Sequence, residues 1–143
     1  MSKDKFKAYI AVYLVLEKEN QILMYLRQNT GYADGFYSLV AGHLDGNESS
    51  TQAMIREAKE EAGIDIKSED LQVVHIMHRI EDKEYLDIYL HCKKWTGKIR
   101  NCEPHKCGNL IFIDKDNFPP NTLGPIKTAM EHIHSGTFFS ELF

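Results

Sequence analysis

Residues 42–64 read GHLDGNESSTQAMIREAKEEAGI, a glycine-bearing loop followed by a capped segment rich in glutamate. Ser49 or Ser50 can accept a hydrogen bond from a free backbone N–H at a helix start, and Ser49 with Gln52 fits a capping box. Gly63 stands just past the last periodic residue, where a left-handed cap is least strained for glycine. The stretch therefore predicts a helix from Ser50 to Ala62. On that helix Glu57, Glu60 and Glu61 are spaced i, i+3 and i+4, which puts three carboxylates on one face. Like charges so close destabilise a helix unless something neutralises them. Glu48 can bend back over the same end, and the preceding loop offers backbone carbonyls. A hard divalent cation held by oxygen, Mg²⁺ or Mn²⁺, would resolve the repulsion. Arg56 could pair with Glu60 or lock a neighbouring carboxylate. Taken alone, EAKEEAG would equally suit a solvated helix face.

The rest of the composition sets the frame. A chain of 143 residues with 43% hydrophobic and 27% charged residues can bury a core of ordinary size and predicts one domain over 1–143. The formal net charge of −4 argues against general nucleic-acid binding, which wants a basic patch. It does not argue against a polyphosphate, because a bound cation reverses the sign locally. No apolar run approaches the ~20 residues of a membrane span, and MSKDKFK lacks the apolar segment of a signal peptide. The expected location is cytoplasmic, with Cys92, Cys102 and Cys107 as reduced thiols.

Outward from the helix, FKAYIAVYLVL reads as a strand buried on both faces. Glu19-Asn20 makes a turn, and QILMYLR from Gln21 to Arg27 returns as the second strand of a hairpin. Residues 28–35, QNTGYADG, form a polar loop of the kind that carries binding groups. Phe36 to Val40 is a short strand. After the helix, Leu71 to Arg79 and Tyr85 to Trp95 read as long strands, the second alternating Leu86, Ile88, Leu90 and Cys92 with Tyr85, Asp87, Tyr89 and His91. Residues 98–101 continue as strand, residues 102–109 form a polar loop, and Leu110 to Asp114 is the last strand. Gly124 to His134 is an amphipathic helix, and the aromatic tail GTFFSELF packs down. His75 and His78 point to opposite faces of their strand as sheet surface. The whole suggests a mixed α/β class.

Gly42, Glu48, Arg56, Glu57, Glu60, Glu61 and Gly63, with Ala58 and Ile64 at the aliphatic places, fill Gly-x5-Glu-x7-Arg-Glu-U-x-Glu-Glu-x-Gly-U without a mismatch. This sequence resembles the Nudix hydrolases, of which that pattern is the signature. Many Nudix sequences carry proline and glycine before the first box glycine. Val40 and Ala41 stand there in this chain, a departure that removes no ligand side chain. The resemblance implies the Nudix fold, a mixed β-sheet sandwiched between helices (α/β/α). It implies that Glu57, Glu60 and Glu61 ligate the metal, Glu61 foremost, with the carbonyl of Gly42 completing the site. Glu48 and Arg56 would orient the ligands or tether the loop, and Gly63 would end the helix. The general base would be Glu57, Glu60 or the late-loop Glu103. Asn121 lies in a region where MutT-type members place a purine-reading asparagine and would read the base edge. From the residues alone, Phe36, Tyr37 or Tyr32 could stack on the base, and Arg27 could meet a phosphate or merely terminate its strand.

The expected activity is Mg²⁺-dependent hydrolysis of a nucleoside polyphosphate, with release of a nucleoside monophosphate and pyrophosphate. Nucleoside-diphosphate sugars and dinucleoside polyphosphates are the rival substrates. A catalytically silent nucleotide-binding module is the rival of another class, and such a module would be expected to lose box glutamates. An RNA-end hydrolase would want a basic groove that the sequence does not display. The partners expected are a small nucleotide and neither nucleic acid nor membrane, with a homodimer left open.

Overall fold

The computed structural model describes residues 4–143. The elements are β1 (Tyr9–Lys18), β2 (Gln21–Arg27), β3 (Tyr37–Ser38), β4 (Ala41–His43), α1 (Ser50–Ala62), a 3₁₀ turn at Ser68–Asp70, β5 (Gln72–Ile80), β6 (Glu84–Cys92), β7 (Cys107–Asp114), α2 (Gly124–Ser135) and β8 (Phe139–Leu142). Strands run β3-β2-β1-β6-β5-β8, with β4 on β1 and β7 on β2. The sheet is mixed: β1 lies parallel to β6 from Tyr9↔Tyr85 to Leu16↔Cys92, whereas β5 and β6 are antiparallel. Glu19 and Asn20 both adopt positive φ, as a tight two-residue hairpin turn requires. Beyond the hairpin end, β1 and β2 part to pair with β6 and β7 respectively.

Two apolar layers flank the sheet, as expected of a strand buried on both faces. On one side Val12, Leu14 and Leu16 of β1 meet Ala53, Met54, Ala58 and Ala62 of α1. On the other, Val15 of β1 with Ile22 and Met24 of β2 meets Ile126 and Ala129 of α2. Small alanines on α1 let its backbone lie close to the sheet, which carries its glutamates to the sheet's mouth.

Several sequence expectations shift. Residues 98–101 are not strand: Arg100 N–H donates to Ala62 O at 3.0 Å and Cys102 N–H to Glu61 O at 3.1 Å. This stretch is spent on the last carbonyls of α1, which a helix end leaves without partners. The tail goes beyond packing down and forms β8, parallel to β5. That addition corrects the reading of His75 as sheet surface. Its side chain is wholly buried, with Nδ1 2.8 Å from Thr137 O, Nε2 2.8 Å from Ser140 Oγ, and the ring stacked on His132 at 5.3 Å. His78 remains partly exposed and bonds Glu84 at 2.6 Å.

Burial pushes the His75 imidazole below its ordinary 6.5; the Thr137 carbonyl opposes this and His132 adds to it. A histidine with a depressed folded pKa stabilises the fold above about 6.5 and loses that contribution as pH falls through the folded value. His75→Gln should therefore lose less melting temperature than wild type between about pH 7.5 and 5.5, because no buried imidazole is left to take up a charge at that position. Parallel slopes in paired thermal melts would remove His75 from the acid sensitivity.

Candidate active site

The cap signals hold as read. Ser49 Oγ accepts from Gln52 N–H, Gln52 returns a bond to Ser49 N–H, and Gly63 closes α1 at φ 71° with its N–H on Lys59 O. A side chain at Gly63 would also crowd Arg100, 2.9 Å from the added Cβ. So fixed, α1 delivers Glu57, Glu60 and Glu61 to a cleft of about 450 Å³ that also takes Tyr25, Arg27, Asn29, Thr30, Leu39, Ala41, Glu103 and Lys106.

Gly42 lies against this helix. A Cβ there would fall 2.1 Å from Glu57 Oε2, so the loop approaches the carboxylate only because the position is glycine. Arg56 is the hub behind the cluster. It donates to both carboxylate oxygens of Glu48 (2.8 and 3.2 Å), to Glu57, to Glu60 at 3.4 Å and to His43 O at 3.3 Å. Glu48 also accepts from Asp45 N–H at 2.9 Å, and the bonds from Arg56 and Asp45 hold its carboxyl below the usual range. One guanidinium thus bridges Glu48 of the loop and Glu57 of the helix.

Glu61 differs from its neighbours. It is 7% exposed and accepts one backbone bond, from Ala41 N–H at 3.2 Å. Burial, then the adjacent Glu57 carboxyl, hold its own carboxyl well above the ordinary range. Among the described residues no three His, Cys, Asp or Glu side chains converge closely enough to hold an ion as they stand. The donor chemistry nonetheless fits a hard cation: Glu61 is a buried carboxylate beside a second carboxylate, with no lysine or arginine among its ion-pair partners.

Glu103 joins the cluster from the loop before β7. Its backbone N–H donates to Asn101 Oδ1 and its carbonyl accepts from Lys106 and Cys107 N–H, so the loop is pinned at that residue. Tyr25 OH donates to Glu103 Oε1 at 3.0 Å; burial and Glu103 push the phenol's pKa up, which keeps it a donor. Arg27 lines the cleft, with Nε on Tyr32 O at 2.8 Å and Nη2 on Thr30 Oγ1 at 3.1 Å. Tyr37 and Asn121 stand side by side but do not line it, and Tyr37 packs against the layer that faces α2. Tyr37 N–H donates to Asn121 O at 2.8 Å, Tyr37 OH accepts from Asn109, and the Asn121 amide donates to Gly35 O. Tyr25 and Lys106 were not singled out from sequence. Tyr25 reads as one more apolar strand position, and Lys106 as one lysine in a polar loop.

The site is thus a glutamate-lined cleft beside α1, in a mixed sheet between two helices. The chain belongs to the Nudix family: the NUDIX domain model matches residues 5–133. It is 28% identical over 96 residues to an 8-oxo-dGTP diphosphatase of Proteus vulgaris, covering 67% of this chain and 85% of that one. It is also 28% identical over 108 residues to a dihydroneopterin triphosphate diphosphatase of Escherichia coli, covering 73% and 69% respectively. Among solved structures, a MutT NUDIX hydrolase from Burkholderia pseudomallei superposes with TM-score 0.81 at 19% identity, covering 88% of this chain and 98% of that one. Among the described residues no helix is long and apolar enough to cross a membrane.

Proposed function

We propose that this chain, as one Nudix domain over 1–143, hydrolyses a nucleoside triphosphate to the monophosphate and pyrophosphate with Mg²⁺ or Mn²⁺. The observation that carries the reading is Glu61, a buried carboxylate left without a cationic side chain in a cleft that three further glutamates share. The Gly42 carbonyl, Glu57, Glu60 and Glu61 would hold the cation. Bound there, it would neutralise phosphate charge and lower the pKa of an attacking water. Arg56 turns Glu57 toward the cluster and Glu48 anchors the loop behind it. Glu103 is the favoured general base: it is held in place by Tyr25, and its second oxygen is left to accept a proton from water. Glu57 and Glu60 are the other two candidates. Arg27 would meet the phosphates. Tyr37 and Asn121 would take the base, with the Asn121 amide oxygen still free to accept a hydrogen bond from it.

The two curated relatives above are both named for triphosphate substrates, which supports this reading over nucleoside-diphosphate sugars. A silent binding module is disfavoured by the complete set of box glutamates. The deciding measurement is a panel of nucleoside triphosphates, UDP-sugars and dinucleoside polyphosphates, each assayed with Mg²⁺ and scored by product. Pyrophosphate plus monophosphate is the expected pair. A sugar phosphate as the dominant product would move the enzyme to the sugar branch, and tight binding without turnover would favour the module.

A further inference from the structure

The cleft has a cationic side that the signature motif does not supply. Arg27 enters from the end of β2, where the loop of residues 28–36 begins, and Lys106 from the loop before β7. The two loops are laced together: Gln28 N–H donates to Lys106 O, Gln28 Nε2 to Pro104 O and Asn29 Nδ2 to His105 O, each at 2.9 Å. The first loop is itself stiffened by Asp34, which accepts from the Thr30 N–H and hydroxyl and from Gly31 N–H. Arg27 and Lys106 are therefore presented on one shared frame.

Neither cation is neutralised. Four carboxylates line the same cleft, yet neither residue forms an ion pair among the described residues. Arg27 spends two of its five N–H donors on Tyr32 O and Thr30 Oγ1, which aims the guanidinium and leaves the others free. Lys106 has its backbone N–H and C=O both bonded, while its ammonium is uncommitted. A cleft with three glutamates from its helix, and with two cations beside Glu103 on the opposite elements, matches a metal-bound phosphate continued by further anionic phosphate.

We infer that Lys106, together with Arg27, binds the terminal phosphates of the substrate, so that Lys106 selects an unblocked polyphosphate end over a diphosphate capped by a sugar. This rests on the cleft being the hydrolytic site proposed above. A sugar at that end would bring no charge to Lys106 and would desolvate the ammonium without a partner.

The test compares wild type with Lys106→Met and Lys106→Arg. Calorimetric titration with inorganic pyrophosphate in the presence of Mg²⁺ should show roughly tenfold weaker binding for Lys106→Met, the size of one charge-assisted hydrogen bond. Lys106→Arg should stay within about twofold. With dGTP, Lys106→Met should raise KM by about tenfold and leave kcat within about twofold, because the group acts in binding. With UDP-glucose its KM should fall or hold, because no ammonium is left to be desolvated by the sugar. Pyrophosphate binding equal to wild type in Lys106→Met, or equal KM changes with both substrates, would overturn the assignment. If dGTP is not turned over at all, the triphosphate reading falls on its own and the pyrophosphate titration still decides the role of Lys106. The side chain is exposed, so neither variant endangers the fold.

Discussion

Glu61→Gln should lower kcat by roughly a thousandfold, about 4 kcal/mol of transition-state stabilisation, and at the same time raise the melting temperature measured in chelator. The two effects share a cause. Glu61 is buried beside Glu57 and receives one backbone hydrogen bond, so its charge is costly to the fold until a cation joins it. Glutamine keeps the shape and can still accept from Ala41 N–H, but carries no charge. The gain should be on the order of 1 kcal/mol, about 3 °C for a chain of this size. Single-turnover kinetics and thermal melts in EDTA measure both quantities. A kcat within about tenfold of wild type, or a lower melting temperature, would deny Glu61 its place as the central ligand.

Asp87→Ala should cost about 3–5 kcal/mol of stability. Asp87 is fully buried and accepts from Arg79 Nε at 2.7 Å and Nη2 at 3.3 Å. Arg79 is itself 5% exposed, with its guanidinium 4.0 Å from the Tyr85 ring centroid. Removing the acid leaves a buried cation with Glu81 as its remaining ion-pair partner. The loss should reach the cleft, because Tyr32 OH, in the loop that aims Arg27, donates to the same Glu81 at 3.2 Å. Urea unfolding measures the cost. The double variant Arg79→Met with Asp87→Ala should recover part of it, since replacing both partners removes the stranded charge. A single-variant loss below about 1 kcal/mol would mean that the pair is solvated in practice.

What was legible in the sequence was what local chemistry specifies. The limits of α1 follow from Ser49, Gln52 and Gly63, all acting within a turn of the helix ends, and the structure reproduces them residue for residue. The alternation of β6 was readable because side chains alternate whatever lies outside, and Leu90 and Cys92 do fall in one layer with Tyr89 in the other. Features that depend on distant partners were not readable. Residues 98–101 look extended, but they serve the carbonyls of a helix more than thirty positions earlier. His75 looks like surface until β8 and α2 roof it. Tyr25 became part of the site only through Glu103, and Lys106 only through the lacing of its loop to residues 28 and 29. The adjacency of Asn121 and Tyr37 was not readable either, since it rests on a backbone bond between residues 84 positions apart.

The parallel seam between β1 and β6 also bears on the order of events at the ribosome. It sets residue 9 beside residue 85 and residue 16 beside residue 92, with the glutamate helix in the span between. Parallel pairing at that separation must close a long loop before any contact rewards it. The nascent helix therefore follows β1, β2 and β4, which carry much of the surface it packs on, but precedes β6, the parallel neighbour of β1. Until β6 leaves the exit tunnel, the alanine stripe has only the β1–β2 hairpin and β4 to lie on, and the acidic segment waits on a sheet that is not yet joined to its other half.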